Sequence, residues 1–150
     1  MGTLFIKAAA TGLGTGLSPF APGTVGTIPG VLLYLLIVPF PRPLYFLTVL
    51  VFICIAVYIA HQAEKIFHEK DSSKIVIDEM AGFLVVMSFV PPSPVNVVAG
   101  FVLFRFFDIL KPFPVGLIDK RIHGGYGIVG DDVMAGLYGA FILYLLARFL

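Results

Sequence analysis

The chain has 150 residues, of which 59% are hydrophobic and 13% charged, with a mean hydropathy of +1.01. Soluble domains carry roughly 25% charged residues, so this is one domain of membrane composition. A net charge of +1 argues against a nucleic-acid partner, and the single cysteine, Cys54, excludes a disulfide framework or a cysteine-based metal site within the chain.

Residues 1–24 are small and glycine-rich, with Lys7 the only charge. They lack a charged leader followed by a long apolar core, so no cleaved signal is expected. Gly12, Gly14 and Gly16 make a poor dinucleotide fingerprint, because no strand precedes them and the third glycine is misplaced. Ser18-Pro19 and Ala21-Pro22-Gly23 mark a rigid turn, so the stretch 17–24, LSPFAPGT, reads either as a linker or as a loop folded into a site. Residues 25–38 form the first apolar segment. Gly26 and Gly30 stand there at GxxxG spacing, which lets another helix approach closely, within one chain or between copies, so an oligomer is possible. Pro39, Pro41 and Pro43 end it. Residues 44–60 carry no charge and approach the ~20 residues that span a bilayer. In the polar segment 61–74, His61, Glu64 and His68 share one helical face, as metal ligands or as a solvated juxtamembrane surface.

Residues 75–90 form a third segment, 94–110 a fourth and 131–150 a fifth, with 112–130 as a loop. The expected fold is therefore all-α: a single domain over 1–150, built as an integral membrane bundle with about five apolar helical segments. The long unalternating runs exclude a β-barrel. In this arrangement Lys7, Lys65, Lys70, Lys74, Lys111, Lys120 and Arg121 share one side, against Arg42 and Arg148 on the other. That asymmetry directs the first side, with every candidate site residue, to the cytoplasm.

The stretch 104–136, FRFFDILKPFPVGLIDKRIHGGYGIVGDDVMAG, concentrates charge in this oily chain. Buried charge is costly, so such a cluster has a function by default. Carboxylates with interleaved bases and a glycine loop suit a divalent metal and a phosphate. Two helical segments open alike, with Asp78-Glu79-Met80-Ala81-Gly82 and Asp132-Val133-Met134-Ala135-Gly136. In each, an aspartate stands one turn from a glycine that permits close helix contact. Capping a helix dipole needs one acid, yet Asp78 with Glu79 and Asp131 with Asp132 supply two each, which favours metal ligation. Asp108, with Arg105 three residues before and Lys111 three after, reads as a structural ion pair or as a metal ligand flanked by two phosphate-binding bases. Asp119 is a further candidate ligand, or part of a solvated loop. His123 is a proton donor for a leaving alkoxide or a loop hydrogen-bonding residue, and Gly124 and Gly125 let backbone approach a ligand. Mg2+ usually takes one or two carboxylates plus waters, so Asp78, Glu79, Asp108, Asp131 and Asp132 exceed the need of one ion, and one or two metals both fit. Water activated by Mg2+ is the expected nucleophile; a phosphoaspartyl route stays open.

Four motifs occur in order over most of the chain: LSPFAPGT at 17–24, Asp78-Glu79 followed by Gly82, FRxxDxxKPxP from Phe104, and HGGxGxxxDDxxAG from His123. Together they closely resemble the phosphatidylglycerophosphatase A family. The resemblance implies an enzyme of the inner (cytoplasmic) membrane that removes the terminal phosphate of phosphatidylglycerophosphate to give phosphatidylglycerol, with Mg2+. It implies Asp78, Glu79, Asp108, Asp131, Asp132 and His123 as catalytic residues. It also directs Arg105, Lys111, Ser18, Thr24, Gly124 and Gly125 toward the substrate. Two rivals are weaker. CDP-alcohol phosphotransferases carry a DGxxAR pattern that is absent here, and a small ion transporter would hold its acids near mid-membrane rather than at one interface.

Overall fold

Proline and glycine set the helix boundaries in this chain. The computed structural model describes residues 2–149. In them α1 is Thr3–Ala10, α2 Pro22–Ile37, α3 Arg42–Phe67, α4 Ile77–Val86, α5 Pro94–Leu110, α6 Val115–Arg121 and α7 Gly125–Leu146, with no strand among the described residues. Prolines stand in the first turn of α2, α3 and α5, where a missing amide hydrogen costs nothing. Ser93 caps α5 by accepting a 3.1 Å hydrogen bond from the Asn96 amide. At the other end of α5, Lys111 takes a left-handed conformation with φ +46, and Pro112 follows.

The fold is all-α, as expected. The five apolar segments fall on α2, α3, α4, α5 and α7. Among the described residues, α3 and α7, with 26 and 22 residues, are the helices long and apolar enough to cross a membrane. α4 has ten residues, about 15 Å at ~1.5 Å each, half of a ~30 Å hydrocarbon layer. It is instead the central element, with residues 81–86 all buried. A helix that is apolar all round belongs inside a bundle. The expected loop at 112–130 also differs: it contains α6 and the first turn and a half of α7, which begins at Gly125 rather than at Asp131.

Two apolar clusters hold the bundle together. One gathers Tyr34, Phe83, Leu84, Val86, Phe104 and Leu143 around α4. The other joins Ile6 and Ala10 of α1 to Ala56 and Ala60 of α3, Ile77 of α4 and Val129 of α7. Small residues bring the helices close. A Cβ at Gly136 would lie 2.5 Å from the Gly82 carbonyl oxygen, and one at Gly82 would strike the Phe104 ring and lie 2.8 Å from the Asp132 carbonyl oxygen. The GxxxG of α2 is used within the chain: Gly26 faces Val76, and Gly30 faces the Met80 backbone at 2.9 Å. It therefore gives no reason for an oligomer.

The α4–α7 contact predicts opposite signs for two kinds of Gly→Ala change. Gly82→Ala and Gly136→Ala should each destabilise by about 1–3 kcal/mol through overpacking. At Gly130 a Cβ meets only the Ile118 side chain, at 3.4 Å, so Gly130→Ala should be neutral or stabilising by up to ~1 kcal/mol through helix propensity. Thermal unfolding in detergent measures all three.

Candidate active site

The first turn of α4 carries Asp78 and Glu79, and the second turn of α7 carries Asp131 and Asp132. Because α7 starts at Gly125, Asp131 and Asp132 are too far into the helix to act as caps, and that reading falls. The close approach of Gly136 to the Gly82 carbonyl, and of Gly82 to the Asp132 carbonyl, sets the two helices so that Asp78, Glu79 and Asp132 each direct an oxygen to one place. These oxygens lie within 4.8 Å of one another. All three residues are nearly excluded from solvent, and Asp78 Oδ1, Glu79 Oε2 and Asp132 Oδ2 have no hydrogen-bond partner. Three carboxylates at such separations repel, and burial strengthens the repulsion. An all-oxygen, concentrated negative donor set of this kind fits a hard divalent cation.

The other predicted ligands are committed elsewhere. Asp108 pairs with Arg105 Nη1 one turn away on α5, so the ion-pair reading holds for its geometry. The same Arg105 nitrogen lies 3.8 Å from Glu79 Oε1, and Arg105 Nε has no partner. Arg105 thus borders the carboxylate group with a donor to spare. Asp131 Oδ2 accepts from Lys111 Nζ at 2.7 Å, and Asp119 Oδ1 of α6 accepts from the same nitrogen at 2.8 Å. The second oxygen of Asp131 accepts from the Asp132 amide at 3.0 Å. Burial works against the Lys111 charge, but the hydrogen bonds with Asp119 and Asp131 outweigh it and hold the ammonium pKa above the ordinary lysine range. Lys111 is therefore a clamp between α6 and α7 rather than an unpaired base facing a phosphate.

Several candidates lie outside this convergence. His123 is exposed on the turn before α7. The space over Gly124 and Gly125 is filled by α3: a Cβ at Gly124 would lie 2.8 Å from His61 Nδ1, and one at Gly125 would strike the Val57 carbonyl. These glycines serve helix packing. The Ser18 hydroxyl is used in its own turn, donating to the Phe20 carbonyl at 2.9 Å, and Thr24 is half-buried in the first turn of α2. His61, Glu64 and His68 do not converge; Glu64 instead accepts from the Asp71 amide at 3.1 Å. Two residues escaped the sequence reading. Gly23 packs against Glu79 and both terminal nitrogens of Arg105, so the 17–24 stretch does reach the site, through a glycine with no chemistry of its own. Asp71 is the other. Burial pushes its carboxyl pKa up, Lys111 pulls it back, and Asp119 and Glu64 add to the rise. Its position in the α3–α4 connection gives no periodic signal.

Residues 8–147 match the family described as Phosphatidylglycerophosphatase A. The chain belongs to the phosphatidylglycerophosphatase A family. A Phosphatidylglycerophosphatase A of Escherichia coli K12 is 41% identical over 140 residues, covering 93% of this chain and 81% of that protein. One from Haemophilus influenzae is 35% identical over 142 residues, covering 93% and 86%. A Bacteroides thetaiotaomicron protein, provisionally described as a phosphatidylinositol-3-phosphatase, is 38% identical over 146 residues, covering 92% and 90%. No solved structure matches the chain.

The Lys111 clamp predicts unequal effects in this phosphatidylglycerophosphatase A-type site. The Asp131 side chain is 6% exposed, against 31% for Lys111 and 28% for Asp119. Lys111→Met strands a buried carboxylate and should cost about 2–3 kcal/mol, somewhat under the ~3–5 kcal/mol of a fully buried pair. Asp119→Asn leaves the buried pair intact and should cost about 1 kcal/mol or less. The Lys111→Met/Asp131→Asn double variant should recover much of the loss, read as a double-mutant cycle of melting midpoints.

Proposed function

We propose that this chain is an integral membrane phosphatase that hydrolyses the terminal phosphate monoester of phosphatidylglycerophosphate, releasing phosphatidylglycerol and inorganic phosphate, with Mg2+ held by Asp78, Glu79 and Asp132. The observation that carries the reading is the convergence of three buried, partly unpartnered carboxylates beside Arg105. The activity is the one named for the Escherichia coli and Haemophilus influenzae relatives, whose identity extends over 93% of this chain. The Bacteroides relative's description names a different headgroup, phosphatidylinositol, but again a lipid phosphatase.

Phosphate monoesters are among the slowest bonds to break unaided, so the site must supply a large stabilisation. When bound, Mg2+ supplies neutralisation of phosphate oxygens and a water of lowered pKa. Asp78, Glu79 and Asp132 are its proposed ligands. Arg105 offers its unpartnered Nε as a donor to a phosphate oxygen, while Asp108 and Glu79 orient the guanidinium. Asp131 and Lys111 are positioning residues, acting through the Asp132 amide and the α6–α7 clamp. His123, exposed before α7, is the proton donor that the geometry supports least.

The membrane reading is multi-pass, with α3 and α7 as spans. The contact of Gly124 and Gly125 with Val57 and His61 brings the start of α7 to the second half of α3. The carboxylates therefore lie toward one end of both helices. Lys65, Lys70, Lys74, Lys111, Lys120 and Arg121 belong to segments at that end, which supports a cytoplasmic active site.

Excess chelator should abolish phosphate release, and added Mg2+ should restore it; full turnover under chelation removes the metal from the mechanism. Asp78→Asn and Asp132→Asn should each lower turnover by about 100-fold or more. Each should also raise the metal-free melting midpoint by relieving repulsion, and should lose the Mg2+-induced rise of the parent protein. For sidedness, Lys120→Cys in a Cys54→Ala background should react with an impermeant thiol reagent only from the cytoplasmic face. Labelling from outside intact cells would reverse the orientation.

A further inference from the structure

α2 and α4 run together away from the carboxylates, Gly26 against Val76 and Gly30 against Met80. From Gly23, which touches the site, to Tyr34 is eleven residues, or roughly 16 Å of helix. At that far end lies a cavity of about 230 Å³, whose lining includes Tyr34, Val38, Arg42, Tyr45, Ser88 and Pro91. Tyr34 is 1% exposed and its hydroxyl has no hydrogen-bond partner. Tyr45 and Ser88 do not satisfy it: each hydroxyl donates to the Leu84 carbonyl, both at 2.9 Å. A buried unpaired hydroxyl costs about 1–3 kcal/mol, so a partner there is favoured.

Charge says which partner. The nine acidic residues are Glu64, Glu69, Asp71, Asp78, Glu79, Asp108, Asp119, Asp131 and Asp132. All belong to the carboxylate end, from the last turn of α3 to the second turn of α7. Arg42, at the opposite end of α3, has no ion-pair partner among the described residues. No acidic side chain of the chain lies at that end, so an anion from outside can pair with it. The remaining walls are apolar, and Phe40 among them is exposed. A lipid suits such walls better than a free ion does.

We infer that this cavity seats the phosphodiester of an anionic phospholipid, drawn from the leaflet opposite the carboxylates, with the Tyr34 hydroxyl donating to a phosphate oxygen and Arg42 supplying the counter-charge. The leaflet rests on α3 spanning the membrane; the site itself does not depend on the catalytic reading.

The test is a melting titration of the purified protein in detergent with short-chain phosphatidylserine, which carries no phosphate monoester, with inorganic phosphate as a parallel arm. Phosphatidylserine should raise the midpoint. Tyr34→Phe and Arg42→Gln should each raise the half-saturating concentration by about tenfold, the scale of a hydrogen bond to a charged group. Phosphate release should be unchanged in both variants. An equal shift from inorganic phosphate alone would overturn the lipid assignment. Variants that titrate like the parent protein would overturn the site, and a Tyr34→Phe protein that simply melts higher would mark the cavity as empty.

Discussion

The close approach of α4 and α7 at Gly82 and Gly136 is the contact on which the site depends. Neither glycine has room for a methyl group: Gly136 meets the Gly82 carbonyl of α4, and Gly82 meets the Asp132 carbonyl of α7 and the Phe104 ring of α5. Both stand one turn beyond an aspartate, so helical periodicity turns a packing contact into a convergence of Asp78, Glu79 and Asp132. The apolar residues of α4, buried on every face, supply the cohesion that holds three like charges together.

The distribution of cations follows from that concentration of negative charge. Arg105 and Lys111 do not sit symmetrically around it. Arg105 is shared between Asp108 and Glu79 through Nη1, and its buried Nε has no partner. Lys111 is saturated by Asp119 and Asp131 and ties α6 to α7. Two bases that look equivalent in the motif thus differ in what remains available: Arg105 keeps an unpartnered donor, and Lys111 is consumed by architecture. The same accounting applies along the bundle. Every acidic side chain lies at one end, so Arg42 and Arg148 at the other end face no acidic side chain of the chain.

The family, the helical class and the identity of the acidic motifs are all legible in the sequence. The paired D-x-M-A-G openings also foretold the helix contact, because a one-turn spacing from acid to glycine is a local property. The membrane spans were less legible. Segments 75–90 and 94–110 are apolar enough to resemble spans, yet α4 is a short buried core helix, and α5, at 17 residues, is shorter than a full span while keeping an exposed apolar face that includes Val98, Val102 and Phe106. Hydropathy reports how a segment avoids water, and a protein interior satisfies that as well as lipid does.

Within the site, the sequence by itself determined which residues carry charge and that acids, bases and glycines recur at helical intervals. It could not separate Asp132 from Asp131, adjacent in the chain and identical in kind. On a helix, neighbours point about 100° apart, and only the rotation of α7 against α4 decided that one faces the three-carboxylate group while the other faces Lys111. Tertiary structure likewise decided that Gly124 and Gly125 receive α3 rather than a ligand, and that Gly23 touches Glu79 and Arg105. A glycine records only that space is needed. What fills the space is set by elements distant in sequence, and their approach is a property of the packed bundle.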